Sequence, residues 1–232
     1  MWFAQPPKTM RLTLRVLAHL LRYPDASFRA HLQDMADALR SEAALPPSRL
    51  VELQTLLQRV GSLPALQVES EYVELFDRGR STALHLFEHV HGDSRDRGPA
   101  MIDLIQTYEQ AGLYLDADEL PDHLPVLLEF ASTQPPQQAR EFLAEFAHIV
   151  RVIFSALLKR QSPYASVLAA VLDLAGEKAE PVPVAPEPEI DESWAEPEAF
   201  DGCSSAGQSK PGEAQPIRIV KPSPSTVQGA SA

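Results

Sequence analysis

Cysteine is almost missing from this sequence. Cys203 is the only thiol among 232 residues, which excludes an internal disulfide, a Cys-rich zinc site and an iron–sulfur cluster, and indicates a reducing compartment. Long apolar runs are missing as well, because none approaches the roughly 18 to 20 residues that a membrane span needs. The N-terminal residues carry charges and prolines where a secretory signal would be apolar. These absences predict a soluble, cytoplasmic protein with no segment inserted into the membrane.

Basic residues are also few. Lys plus Arg number 20 against 32 for Asp plus Glu, so the formal net charge is −12. Since phosphate binding needs a basic face, nucleic acid is excluded as a partner. Residues 1–176 hold only two lysines, Lys8 and Lys159, and the chain has no G-x-x-x-x-G-K-[ST], G-x-G-x-x-G or G-x-S-x-G motif. The sequence therefore disfavours the common classes of enzyme.

The composition changes near Gly176. Nine of the 21 prolines lie between residues 177 and 232, and apolar residues lose their periodic spacing there. A segment of this composition cannot bury enough apolar surface to offset the entropy lost on ordering. We therefore predict one folded domain over residues 1–176 and a disordered, acidic, Pro-rich tail over residues 177–232, which contains Cys203.

Apolar residues recur at helical spacing through most of residues 1–176, and no segment shows the two-residue period of a strand. We predict an all-α fold, a single globular bundle of about eight helices. The predicted helices are one through Met10 and Leu21 that ends at Tyr23-Pro24, one capped by Asp25 that continues through Leu39, one from Ser48 to Gly61, one over about 64–78, one through Met101 and Tyr108, one through Leu124 and Phe130, one over about 136–160, and one from Ser162 to Gly176.

The sharpest local motif is His85-Leu86-Phe87-Glu88-His89, which has the H-x-x-E-H pattern of inverted zinc proteases. On one helix, His85 and His89 would lie one turn apart, with Glu88 as general base and His91 as a further nitrogen ligand. In the alternative interpretation, the apolar residues of the motif pack and the polar ones cap a helix end. A zinc-dependent hydrolase that uses His85, Glu88 and His89 is kept as an alternative function.

Two apolar strips are bordered by carboxylates. Such a strip suits an amphipathic helix with Arg or Lys on its polar edges, and so indicates a peptide-binding surface. In the alternative interpretation, the strips are ordinary core and the acids form a solvated face. The first strip is Tyr72, Leu75 and Phe76 with Glu69, Glu71, Glu74 and Asp77, and the second is Leu124 and Leu127 with Glu119, Asp122 and Glu129.

Five segments together carry a resemblance to a known family. The chain resembles the molybdenum cofactor assembly chaperones of respiratory nitrate reductase, also called delta subunits, in the superfamily of redox-enzyme maturation chaperones. The resemblance extends from about residue 10 to residue 176 and leaves the tail out. The segments that carry it are LLRYPD (20–25), SEYVELFDRGRSTALHLFEHVHGDSRDRGPAM (70–101), YEQAGLYL (108–115), ELPDHLPVLLEF (119–130) and SPYASVLAAVLDLAG (162–176).

The resemblance implies an all-helical cytoplasmic chaperone that is not an enzyme and holds no cofactor of its own. It implies that the partner is the catalytic (alpha) subunit of respiratory nitrate reductase. The chaperone would bind the immature subunit, partly through an N-terminal segment that resembles a twin-arginine leader, and keep it competent for molybdenum cofactor insertion and membrane assembly. A generic helical adaptor with no link to molybdenum enzymes is the remaining alternative.

The resemblance also implies candidate binding residues. In the superfamily, the peptide groove is linked to a [YFW]-x-x-L-F motif and a P-D-H motif. The first matches Tyr72, Leu75 and Phe76, and the second matches Pro121, Asp122 and His123. Glu71 and Glu74 join them as carboxylates that would face Arg or Lys side chains. Residues of the segment specific to the nitrate reductase branch, without an assigned role, are His85, Glu88, His89 and Ser94.

Overall fold

Helices account for most of the described chain. The computed structural model describes residues 9–92, 94–116 and 119–184, which belong to one compact unit. These residues contain no named strand, which confirms the predicted all-α class. The α-helices are α1 (Arg11–Leu20), α2 (Ala26–Ala30), α3 (Leu32–Glu42), α4 (Pro47–Ser62), α5 (Ala65–Tyr72), α6 (Leu86–Val90), α7 (Arg97–Gln110), α8 (Leu124–Thr133), α9 (Pro136–Lys159) and α10 (Ala165–Ala175); a π-helical segment spans Val73–Asp77 and a 3-10 turn spans Arg80–Thr82.

The centre of the core is α10. Its sequence, ASVLAAVLDLA, is apolar on nearly every side, as expected for a helix surrounded by others. Val167, Leu168 and Leu172 are completely buried, and α10 packs against α9, α4 and α1. The last turn ends at Gly176, whose φ of 82° lies in the left-handed region that glycine adopts at low cost.

The functional surface depends on α1. One side of α1 packs against α10, while the same helix also contacts α3 and α8. Leu14, Leu17 and Leu20 are completely buried, whereas Leu12 and Arg15 on the same helix are exposed. Since α1 contacts both α3 and α8, it forms the base of a surface groove between these two helices.

Two predicted helices differ from the observed ones. Asp25 caps α2 as predicted, because its carboxylate accepts a hydrogen bond from the Phe28 N–H at 2.7 Å, but the helix breaks at His31 and restarts as α3. At the break, the Arg29 guanidinium bonds to the carbonyls of Val60 and Leu63 at the end of α4. This tertiary contact does not change the apolar period, so the spacing of residues did not reveal the break.

The predicted helix over 64–78 changes its type part-way. It is α-helical as α5 and continues as a π-helical segment, in which the Arg78 N–H donates to the Val73 carbonyl at 3.1 Å. Wide turns of this kind are often found at functional positions of helices. Here the π-helical segment contains Leu75 and Phe76 of the predicted peptide-binding set.

The start of the predicted tail lies against α9. The Val182 N–H donates to the Ser155 hydroxyl at 2.9 Å, and Arg151 forms an ion pair with Glu177 at 2.8 Å. Residues 177–184 thus form specific contacts although they are not helical. The rest of the predicted disordered tail, residues 185–232 with Cys203, lies outside the described residues. Within the described ranges, no helix combines the length and hydropathy that a bilayer crossing requires.

Candidate functional site

The first predicted strip is part of an aromatic cluster. Tyr72 and Phe76 are each only 6% exposed, and their ring centroids lie 4.9 Å apart. The Phe76 ring meets the Tyr164 ring edge-on at 5.2 Å, and the Tyr72 hydroxyl donates to the Leu21 carbonyl at 2.8 Å. Burial raises the pKa of the Tyr72 and Tyr164 hydroxyls, that of Tyr164 to about 12. The cluster therefore joins α5 and the π-helical segment to the end of α1.

The carboxylates of this strip have partners within the chain. Glu71 forms an ion pair with Arg59 at 2.8 Å, and Glu74 forms one with Arg78 at 3.2 Å. Leu75 is partly buried and packs against the core. Direct contact of a peptide with Tyr72 and Phe76 stays a prediction, and in the described conformation it requires a movement that uncovers them.

The P-D-H motif pairs with the segment before α6. The Leu86 N–H donates to the Asp122 carbonyl at 3.0 Å, and the Leu124 N–H donates to the Leu84 carbonyl at 2.9 Å. The completely buried Asp122 carboxylate also accepts from the Phe87 N–H at 3.0 Å. We call residues 84–86 and 122–124 the motif bridge, because it links the two family motifs through backbone hydrogen bonds.

The two histidines of the motif bridge stack on each other, with ring centroids 4.8 Å apart. His85 Nδ1 lies 3.5 Å from the Asp122 carboxylate, and the interaction with this carboxylate raises the pKa of His85. Burial lowers the pKa of His123 to about 4. The Arg97 guanidinium lies 3.9 Å from the same Asp122 carboxylate. The buried Asp122 carboxylate thus lies beside an imidazole and a guanidinium, those of His85 and Arg97.

These contacts correct the expectation of a helical metal motif. His85 precedes α6 instead of lying on it, and its ring faces Asp122. His89 bonds through Nε2 to the Ala83 carbonyl at 2.9 Å, while Glu88 lies 3.5 Å from Arg97. Ser94 bonds to Asp96 on the surface. In the part of the chain that the structure describes, no group of three or more His, Cys, Asp or Glu side chains is placed to hold a metal ion.

An open groove lies between α3 and α8 on the surface of the protein. Its volume is about 880 Å³, within the range of ligand-binding clefts. The floor is α1, one wall is α3, and the opposite wall combines α8 with the loop after α7. The lining residues are Leu12, Arg15, Val16, His19, Ser27, His31, Asp34, Met35, Ala38, Tyr108, Leu113, Tyr114, Leu115, Glu119, Val126, Glu129, Phe130, Ser132 and Thr133.

The groove is apolar inside and acidic at its border. Its carboxylates are Asp34, Glu119 and Glu129, against a single arginine, Arg15. Burial lowers the pKa of His19, so this histidine is mainly neutral at pH 7. Sequence analysis identified Glu119 and Glu129 as carboxylates that flank the second apolar strip, and the structure places both beside the groove.

The predicted binding residues support the groove without lining it. The Tyr72 hydroxyl holds the Leu21 carbonyl at the end of the floor helix α1. Tyr108 lines the groove, and its buried hydroxyl donates to the Pro121 carbonyl at 2.8 Å, directly before Asp122. Sequence reasoning missed most of the groove surface, including Leu12 and Tyr114. A signal for Tyr114 was present, because a large aromatic side chain in a loop after Gly112 has no helical face to explain it.

The all-helical fold is shared with a solved structure. This solved structure, titled "a putative redox enzyme maturation protein" from Archaeoglobus fulgidus, matches with a TM-score of 0.51 at 21% identity, over 76% of this chain and 99% of that one. At this level of identity the likeness concerns the fold.

Sequence comparison gives the family. The family model "Nitrate reductase delta subunit" matches residues 21–170. The nitrate reductase molybdenum cofactor assembly chaperone NarJ of Escherichia coli (strain K12) is 43% identical over 164 residues, which cover 71% of this chain and 70% of that protein. A probable NarJ chaperone of Bacillus subtilis (strain 168) is 35% identical over 162 residues, 70% of this chain and 87% of that protein. The chain belongs to the nitrate reductase delta subunit family.

Membership of this family decides between the functional alternatives. The family consists of cofactor assembly chaperones and not of catalytic enzymes, which confirms the predicted chaperone class and the prediction that the chain is not an enzyme. The zinc-dependent hydrolase is therefore the wrong interpretation of H-x-x-E-H, and His85 instead belongs to the motif bridge. The generic adaptor is likewise replaced by a chaperone.

Proposed function

We propose that this protein binds the immature catalytic subunit of nitrate reductase, including its N-terminal leader-like segment, in the cytoplasm. Bound in this way, the subunit stays competent for molybdenum cofactor insertion and for later assembly at the membrane. The proposal is supported by family membership and by relatives named for molybdenum cofactor assembly of nitrate reductase. The observation that carries it is an open apolar groove bordered by carboxylates.

The groove suits one kind of ligand. An amphipathic segment would place its apolar side against Val16, Leu115 and Phe130, with Arg or Lys side chains toward Glu119 and Glu129. Apolar burial contributes roughly 25 cal/mol per Å² and supplies most of the affinity. The charges mainly set orientation and association rate.

The residues of the two family motifs have an indirect role in this proposal. Tyr72 fixes the end of α1 and Phe76 packs against the Tyr72 ring, while Pro121, Asp122 and His123 fix the start of α8. Leu75, Glu71 and Glu74 keep partly or fully exposed side chains, and they remain candidates for a second contact with the catalytic subunit. Both kinds of role explain why a change in either motif would weaken partner binding.

Release follows from differential binding. A chaperone can shift its partner only by binding the immature state more tightly than the mature one. When cofactor insertion closes the catalytic subunit, its N-terminal segment finds a place within that subunit. The groove then loses its ligand without any bond being made or broken.

Peptide binding tests the proposed site. Calorimetry with a synthetic peptide of the partner's N-terminal segment should show binding to the wild-type protein. Leu12→Asp combined with Tyr114→Asp should weaken it at least about tenfold, since both side chains line the groove and are exposed. A tenfold loss corresponds to about 1.4 kcal/mol.

A matched control separates the groove from general surface effects. Leu66 is 78% exposed and lies outside the groove lining, so Leu66→Asp should bind the peptide like wild type. Circular dichroism should show equal melting for all three proteins. If the double variant binds normally while Leu75→Asp does not, the peptide site lies at the aromatic cluster and our placement is wrong.

A further inference from the structure

The acidic border of the groove is partly neutralised by the protein itself. The Arg22 guanidinium lies 3.1 Å from the Glu119 carboxylate and 3.0 Å from the Glu129 carboxylate. Glu119 lies in the loop before α8 and Glu129 lies on α8, and both line the groove, while Arg22 does not. Arg22 thus forms ion pairs with both carboxylates on the groove wall that faces α3.

The backbone of Arg22 is held in place, whereas its side chain is partly exposed to solvent. Leu21 beside it is completely buried, and its carbonyl is held by the Tyr72 hydroxyl. The Arg22 N–H donates to the His19 carbonyl at 3.1 Å. The Arg22 side chain, however, is 39% exposed. It can therefore turn into solvent without disturbing the core.

Arg22 changes the charge that a ligand meets. Three lining carboxylates against Arg15 leave two net negative charges, and Arg22 reduces this number to one. The Arg15 Nε–H donates to the Ser132 hydroxyl at 3.4 Å, whereas the ion pairs with Glu119 and Glu129 are made by Arg22. Arg22 is thus the side chain that stands where the cationic group of a ligand would bind.

We infer that Arg22 is an internal competitor that a ligand's Arg or Lys must displace from Glu119 and Glu129, and that it thereby sets the affinity and charge selectivity of the groove. This inference rests on the proposed function and adds a specificity-determining residue to it. Half-exposed ion pairs are weak, so the competition is easily overcome by a basic segment. Competition by Arg22 still lowers the affinity of the groove for this segment, which favours its release.

The matched control is Arg59. Its ion pair with Glu71 has nearly the same exposure as that of Arg22 with Glu119, 44% and 37% against 39% and 37% for the side chains. Arg59→Gln and Arg22→Gln change the net charge equally. They differ in the carboxylates that lose their arginine partner. Arg22→Gln releases Glu119 and Glu129 at the groove, and Arg59→Gln releases Glu71 at the aromatic cluster.

Calorimetry with three peptides tests the inference: the partner's N-terminal segment, the same segment with Arg and Lys replaced by Gln, and tetra-arginine. Arg22→Gln should bind the basic segment about fivefold more tightly than wild type and the neutral segment unchanged. The gain should vanish when Glu119→Gln and Glu129→Gln are added. Arg59→Gln should bind all three peptides like wild type.

Several results would overturn the inference. These are equal changes for the basic and neutral segments, a loss of affinity in Arg22→Gln, or a gain in Arg59→Gln in place of Arg22→Gln. Failure of the proposed function looks different: the partner segment binds neither protein, while tetra-arginine still binds Arg22→Gln more tightly than wild type. If tetra-arginine also shows no difference, the internal competitor is refuted as well.

Discussion

His85 and His123 stack face to face, yet their surroundings shift their pKa values in opposite directions. His85 has the Asp122 carboxylate within 3.5 Å, and the interaction with this carboxylate raises the pKa of His85. Burial lowers the pKa of His123 to about 4. The motif bridge therefore favours protonation on one ring of the pair only.

This difference predicts how stability depends on pH. As pH falls below about 6.5, the unfolded chain protonates His123, whereas the folded chain does so only near pH 4. The contribution of His123 to the free energy of unfolding should therefore fall by about 2 kcal/mol between pH 7 and pH 5. His123→Phe keeps a ring for stacking and removes the titration, so urea unfolding should show a correspondingly smaller loss for this variant.

The wild-type protein and the His123→Phe variant both retain His85. Its raised pKa stabilises the fold below about pH 6.5, and this stabilisation is lost as pH rises through the raised value. Because this contribution has the opposite sign and is common to both chains, it largely cancels in the comparison. His148→Gln, at an exposed position of α9, is the control and should behave like wild type. Equal losses for wild type and His123→Phe between pH 7 and pH 5 would show that His123 is not the group responsible.

Helix periodicity predicts where the elements lie, but not how their ends are joined. The stripes of Leu14 and Leu17 on α1 and of Leu124, Leu127 and Phe130 on α8 are sufficient to predict both helices. The motif bridge and the hydrogen bond beside it were not predictable. In that bond the Phe87 N–H donates to the Asp122 carboxylate, 35 positions further along the chain. The groove was missed for the same reason, since α1, α3 and α8 each contribute one side of it.

The bond between α5 and α1 gives a test at this level. The Tyr72 hydroxyl donates to the Leu21 carbonyl, whereas the buried Tyr164 hydroxyl has no hydrogen-bond partner among the described residues. Tyr72→Phe should therefore lower the free energy of unfolding by about 1 kcal/mol, and Tyr164→Phe should lower it by nothing or raise it. Urea unfolding of the two variants measures this difference. Equal destabilisation by both would mean that the Tyr72 hydroxyl does not hold α1.

Composition marks the end of the helices, which is different from the end of the fold. Apolar periodicity stops at Gly176, and the predicted domain boundary was placed there. Ala179 nevertheless packs against the core, and Val182 donates its N–H to Ser155. An extended segment that binds through single backbone groups has no period, so sequence spacing cannot show where its contacts end.

Two truncations separate the end of the helices from the end of the fold. A chain that ends at Gly176 loses the Val182 hydrogen bond and the Arg151–Glu177 ion pair. We expect its free energy of unfolding to fall by about 1 to 2 kcal/mol. The hydrogen bond should contribute more than the ion pair, because the ion pair is partly exposed.

A chain that ends at Val184 keeps both contacts and should melt like the full-length protein. Ser155→Ala in that longer chain should reproduce more than half of the loss, because it removes the acceptor of the Val182 hydrogen bond. Both truncated chains should bind the partner peptide normally, because α1, α3 and α8 are intact. Marked destabilisation of the chain that ends at Val184 would instead show that residues 185–232 stabilise the domain, against the prediction from their composition.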